Sequence, residues 1–227
     1  MKVLLNGDSN MSGEELDDVS LSIGHQFCHI LGGEAVNLSY TGSSNDRIYD
    51  TTMAYITNNP VDFVLIGWSE MSRVQWFTNA EGQGKFYEIN NLGVGKQPLP
   101  YEYQERYNHW KKFMADDWQF GKVMGWYWRE KIYNLHCLMN YKKIPHLFFH
   151  AFHRFHVYDK QYQLNWHDRF IDPYENPNTL PTTYIHWSRN NGYQEITPGW
   201  FHYEPAAQRA WAELLVDHVN TYDLTTI

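Results

Sequence analysis

Residues 61–69 read VDFVLIGWS, and from Phe63 to Trp68 the run is almost wholly apolar. A near-continuous apolar stretch of strand length is what a parallel strand shows when helices cover both faces of its sheet. Upstream, residues 44–59 place Ile48, Met53 and Ile56 at partly helical spacing behind a capping Ser44 or Asn45. Residues 34–40 read as a strand, residues 19–31 as a helix closed by Gly32 and Gly33, and residues 2–7 as another short buried strand. Downstream, residues 120–143 read as a long helix, 144–152 as a strand and 204–219 as an amphipathic helix with Pro205 in its first turn. Strand and helix therefore alternate four times. That order predicts an α/β protein, a single three-layer α/β/α domain over residues 1–227 with a mostly parallel, flavodoxin-like central sheet. Two aromatic-rich stretches, about 71–119 and 153–198, interrupt the rhythm as insertions; the first holds a short predicted helix over residues 102–114.

Composition narrows the function classes. The 227 residues are 43% apolar and 19% charged, the profile of a globular chain. Aromatics reach 17%, including 10 Trp and 17 Tyr, so large rings must pack in a core or face a ligand or partner. The formal net charge is -8 and basic residues form only pairs such as Lys111-Lys112 and Lys142-Lys143, which argues against nucleic-acid partners. Cys28 and Cys137 both fall in helical segments and read as buried free thiols, with no disulfide framework. The apolar start ends at Asn6 and Asp8, too short for a signal peptide or a membrane span. The expectation is a soluble protein made in the cytoplasm, without a membrane partner.

In parallel α/β sheets, function gathers at the carboxyl ends of the strands. Ser9, Gly42, Ser69 and the stretch from His150 to His156 lie at or beyond predicted strand ends, and His202 stands just before the last helix. On its own the turn around Ser9 is ordinary, because Gly and Asp are common turn residues. A serine acting as nucleophile needs a nearby base, and the oxyanion formed needs fixed donors. Gly42 can bring a backbone N–H close to a ligand, and His202 is placed as a base on a final loop.

Four separated blocks resemble the SGNH (GDSL-type) hydrolases. GDSN at 7–10 resembles the nucleophile block, NLSYTG at 37–42 the oxyanion-glycine block, and GWSE at 67–70 the third block. GWFHYEPAAQRAWAELL at 199–215 resembles the terminal block. The resemblance implies that Ser9 is the nucleophile, His202 the base, and the N–H groups of Ser9 and Gly42 part of the oxyanion hole. It implies no cofactor. Two positions depart from the pattern: Ser69 replaces the third-block Asn, and Gly199 stands where an Asp usually precedes the His. Asn45, three residues past Gly42, is therefore the expected amide donor beside Ser69, unless it only caps its helix. His202 is then expected to be oriented by a backbone carbonyl or by a carboxylate from elsewhere, with Glu195 and Glu70 as the candidates. Residues 42–48 and 66–73 also resemble phage-encoded members. Two functions stay open: an esterase removing an acyl or acetyl group from a carbohydrate or similar substrate, or a degenerate binding or structural module, as in a phage virion.

Other residues invite chemistry. His146, His150, His153 and His156 cluster in residues 146–156. On a strand His146 and His150 stand about 13 Å apart, too far to share one ion, and no metal site is expected. Arg73 and His153 are candidates for contacting substrate. Trp76, Trp110, Trp118, Trp166 and Trp187 lie in or beside the insertions, where they can stack on carbohydrate, form a protein interface or pack the insertions onto the domain.

Overall fold

The structure, a computed structural model, describes residues 1–78, 85–89, 100–116, 118–152, 168–171 and 183–226. Five parallel strands form the central sheet: β1 (Lys2–Asn6), β2 (Glu34–Asn37), β3 (Phe63–Trp68), β6 (His146–His150) and β7 (Phe170–Ile171), in the order β2-β1-β3-β6-β7. Between β3 and β6, β4 (Val74–Thr78) and β5 (Lys85–Ile89) make a separate antiparallel pair.

Side-chain alternation along the strands divides the core into two faces. Val3, Leu5, Phe63, Leu65, Leu147 and Phe149 point to one, against α2 (Ile23–Ile30), α6 (Tyr184–Asn190) and α7 (Pro205–Thr221). Leu4, Val64, Ile66, Trp68 and Phe148 point to the other, against α3 (Asn45–Asn58) and α5 (Trp118–Tyr141). Every residue of β3 is buried, as its unbroken apolar run requires. The protein is thus a three-layer α/β/α fold with a parallel sheet, and the strand ends open onto α1 (Ser9–Ser12) after β1 and onto the loops after β2 and β3.

The insertions contain more regular structure than the sequence suggested. The first holds the β4–β5 pair and α4 (Tyr101–Asp116), joined by a small cluster of Tyr87, Ile89 and Tyr107. Trp76 and Trp110 pack within it, their rings 6.5 Å apart. Glu88 ties this insertion to the domain: Ser44 N donates to Oε2 at 2.7 Å and Gln75 Nε2 donates to Oε1 at 2.6 Å. From the second insertion, β7 supplies the fifth strand and α6 sends Tyr184 and Ile185 into the core. Trp187 packs on Trp211 at 5.2 Å, a structural contact. His153, His156 and Trp166 lie outside the described residues, as does the side chain of Trp118.

Of the two thiols expected to be buried, one is and one is not. Cys28 is buried, and burial pushes its thiol up to about 12. Cys137 is exposed: Trp128, Ile132, Leu135 and Met139 form the inward stripe of α5, and position 137 falls between its rows. Among the described residues, no helix is long and apolar enough to cross a membrane.

Candidate active site

Ser9 begins α1 immediately beyond β1 and is nearly buried, at 4% exposure. The turn that holds it is fixed from both sides. Asp8 caps the helix by accepting Asn10 N–H on Oδ1 at 3.0 Å. Asn6 sends its amide into α3, reaching Ile48 O at 3.0 Å and Thr52 Oγ1 at 2.8 Å. Met11, fully buried, seats the helix on the ends of β1 and β3. The Ser9 N–H has no hydrogen-bond partner among the described residues.

Gly42 lies in a tight turn closed by Ser43 N donating to Tyr40 O at 3.0 Å. Its φ of 76° is left-handed, which glycine adopts without the cost a side chain incurs. Nothing lies within 4 Å of where its Cβ would be, and its N–H likewise has no partner among the described residues. Two backbone donors on adjacent strand-end loops are therefore uncommitted.

His202 sits at 6% exposure on the loop preceding α7. The loop folds back on itself, with Ile196 N donating to His202 O at 2.8 Å and Glu204 N to Gln194 O at 3.1 Å. Phe201, directly before the histidine, is held at a φ of 62°, a conformation that costs a non-glycine residue on the order of 1–2 kcal/mol. Such strain persists only where the surroundings over-determine it.

The acid beside His202 is one the sequence did not single out. Glu15 Oε2 lies 2.7 Å from His202 Nδ1, in the turn just after α1, with its own φ at 66°. This corrects the expectation of Glu195 or Glu70. Glu195 spends its carboxylate within the histidine loop, accepting Gly199 N at 2.5 Å and Tyr203 Oη at 3.4 Å and pairing with Arg189 at 3.8 Å. Glu70 lies in the turn after β3, where its carbonyl accepts Arg73 N at 3.1 Å. The neighbouring Glu14 accepts from Thr41 Oγ1, so the turn after α1 joins the Gly42 loop as well as the histidine. The only sequence signal for this acid was a carboxylate pair close behind the nucleophile block.

Both expected side-chain oxyanion donors are engaged elsewhere, Ser69 through its only proton and Asn45 through one of its two amide protons. Ser69 Oγ donates to Asp8 Oδ2 at 2.9 Å, so its single proton is used. Asn45 exchanges two bonds with the Ser69 backbone, Nδ2 to O at 3.2 Å and Oδ1 from N at 2.8 Å. It does not cap α3 either, because Ser44 Oγ accepts Arg47 N at 3.2 Å in that role. Asn45 is fully buried and fixes the loop that follows β3.

Arg73 joins this layer. Its Nη1 donates to Ser69 Oγ at 2.9 Å and pairs with Asp8 Oδ2 at 3.2 Å. No hydrogen bond joins Ser9 Oγ to His202 among the described residues, so the expected Ser-His contact is not formed. The pairing of Nδ1 with Glu15 leaves Nε2 as the ring nitrogen open to a nucleophile.

The remaining histidines stand apart from this layer. His146 Nδ1 donates to Ile144 O at 2.9 Å, which makes Nε2 the acceptor for His136 Nδ1 at 2.8 Å. His136 Nε2 in turn accepts from Asn140 Nδ2 at 3.0 Å. Burial drives His146 and His150 each down to about 3, so both rings are neutral. Among the described residues, no group of three or more His, Cys, Asp or Glu side chains is arranged to hold a metal ion.

No family model matches the chain, and no curated protein matches it. Among solved structures the chain is similar to TesA, at a TM-score of 0.49 and 11% sequence identity, over 98% of this chain and 99% of that one.

Proposed function

We propose that the protein is a serine-dependent ester hydrolase of SGNH type, with Ser9 as nucleophile, His202 as base and Glu15 as the acid that orients it. The observation that carries this reading is the Glu15–His202 pair at 2.7 Å, contributed by the turn behind the nucleophile block. A carboxylate on Nδ1 fixes the tautomer that leaves Nε2 free to accept a proton. The four sequence blocks and the uncommitted N–H groups of Ser9 and Gly42 support the same chemistry.

In this mechanism Ser9 Oγ attacks the acyl carbon and its proton passes to His202 Nε2. The carbonyl oxygen becomes an oxyanion held by the Ser9 and Gly42 N–H groups. Collapse breaks the ester bond, and His202 returns the proton to the leaving alkoxide. Water then repeats the sequence on the acyl-enzyme and releases the carboxylic acid. Small acyl or acetyl esters, including those of carbohydrates, are the substrates proposed.

The absent Ser9–His202 hydrogen bond favours a second reading, a binding or structural module that keeps the fold, as in a phage virion. Hydrolysis of p-nitrophenyl acetate by wild type and Ser9→Ala separates the two. Turnover that disappears with Ser9→Ala supports the enzyme. Equal background rates, with no labelling of Ser9 by a fluorophosphonate, support the module.

A further inference from the structure

Building on the esterase reading, we infer that Arg73 supplies the side-chain donor of the oxyanion hole, making it a cationic hole rather than a neutral one. An acyl-transfer oxyanion needs preorganised donors, and two backbone N–H groups are available here. Ser69 has spent its one proton on Asp8, and Asn45, fully buried, keeps its carboxamide against the Ser69 backbone. Asn10 has a carboxamide with no protein partner, but both its polar atoms are sealed from the surface.

Arg73 differs from all three. Only Nη1 is committed, to Asp8 and Ser69, whereas Nε and Nη2 have no protein partner among the described residues and are not sealed. The side chain is 13% exposed. Its plane is fixed between the two halves of the site. On one side Nη1 meets Asp8, the residue before Ser9, at 3.2 Å. On the other, Cζ lies 5.0 Å from the Phe152 ring, which meets Phe201, the residue before His202, at 5.3 Å. A guanidinium so clamped needs no reorganisation when charge develops on the substrate oxygen. The substrate carbonyl is neutral and the oxyanion charged, so the guanidinium's attraction grows in the transition state, although the Asp8 pair lessens it throughout.

The test compares Arg73→Ala, Arg73→Lys and wild type on p-nitrophenyl acetate, with melting curves for each. Loss of an oxyanion donor lowers kcat about 10²–10³-fold with little change in KM. Ethylguanidinium added to Arg73→Ala is expected to restore part of the rate, a rescue that a merely structural role would not give. If Arg73→Ala does not fold, Arg73→Lys is read: it retains the ion pair to Asp8 but loses the planar fork, and a kcat reduced at least tenfold is expected. Turnover within threefold of wild type in a folded variant overturns the inference while leaving the esterase reading intact. A wild type that is inert and unlabelled at Ser9 overturns both.

Discussion

Glu15 Oε2 and His202 Nδ1 meet at 2.7 Å although 187 residues separate them in sequence. The carboxylate facing His202 thus comes from the turn that follows Ser9. Loss of the equivalent charge in a Ser-His-Asp enzyme costs about 10⁴ in turnover through the wrong imidazole tautomer. Glu15→Gln is therefore expected to lower kcat on p-nitrophenyl acetate by about 10²–10⁴, with its melting temperature little changed. Glu195→Gln acts only through the histidine loop and should be much milder. If Glu195→Gln proves the more damaging of the two, the assignment of the acid is wrong.

Asn45 and Ser69 make the second decisive pair. Removing the carboxamide leaves the buried Ser69 N–H and C=O without their partner. Each unsatisfied buried group costs about 1–3 kcal/mol. Asn45→Ala is expected to lower the melting temperature by on the order of 5–10 °C at this chain length. Asn45→Asp retains the acceptor for Ser69 N–H, loses the donor to Ser69 O and should fall between. A full loss of turnover with an unchanged melting temperature would restore Asn45 to the oxyanion hole.

What the sequence made legible follows from how local each signal is. β3 could be read because burial on both faces leaves a continuous apolar run, and the places of Ser9, Gly42 and His202 followed from strand ends and block order. β7 is only two residues long and carries no periodicity, so nothing local announced it. Glu15 was invisible for another reason. Its role depends on a left-handed turn behind α1 meeting a strained loop before α7, a tertiary event with no fixed spacing. Ser69 shows the same limit: its position was read correctly, but the direction of its one proton is set by Asp8 and Arg73.

The hydrogen-bonded chain Asn140–His136–His146–Ile144 makes a pH prediction. Burial, with the nearby His136 and the positive charge of Arg169 acting in the same direction, pulls His146 down to about 3 from the ordinary 6.5. Between those values the unfolded chain binds a proton that the folded one refuses. The stability from the neutral ring is thus complete above about pH 6.5 and is lost as pH falls toward about 3. One such proton contributes a slope of up to about 1.4 kcal/mol per pH unit. Urea midpoints measured from pH 7 to 4 should fall less steeply for His146→Gln than for wild type. Parallel curves would mean that this ring does not govern the acid limb.

Gly67 provides a steric test of how Ser9 is seated. A Cβ at this position would stand 2.8 Å from Met11 Cγ and 2.9 Å from Phe149 Cζ. Gly7 faces the same crowding, with its Cβ position 2.5 Å from Met11 Cγ and 2.9 Å from Gly67 O. Met11 follows Ser9 by two residues in α1, so whatever displaces it shifts Ser9. Gly67→Ala is expected to destabilise the protein by about 1–3 kcal/mol, the usual cost of overpacking, and to lower turnover as well. Met11→Ala alone opens a cavity and should cost about 2–5 kcal/mol. Because the added methyl would occupy part of that cavity, the double variant should lose less than the two single losses added together. A strictly additive result in urea unfolding would mean the methyl is absorbed against Phe149, and that the close fit of Met11 under β1 and β3 does not set the position of Ser9.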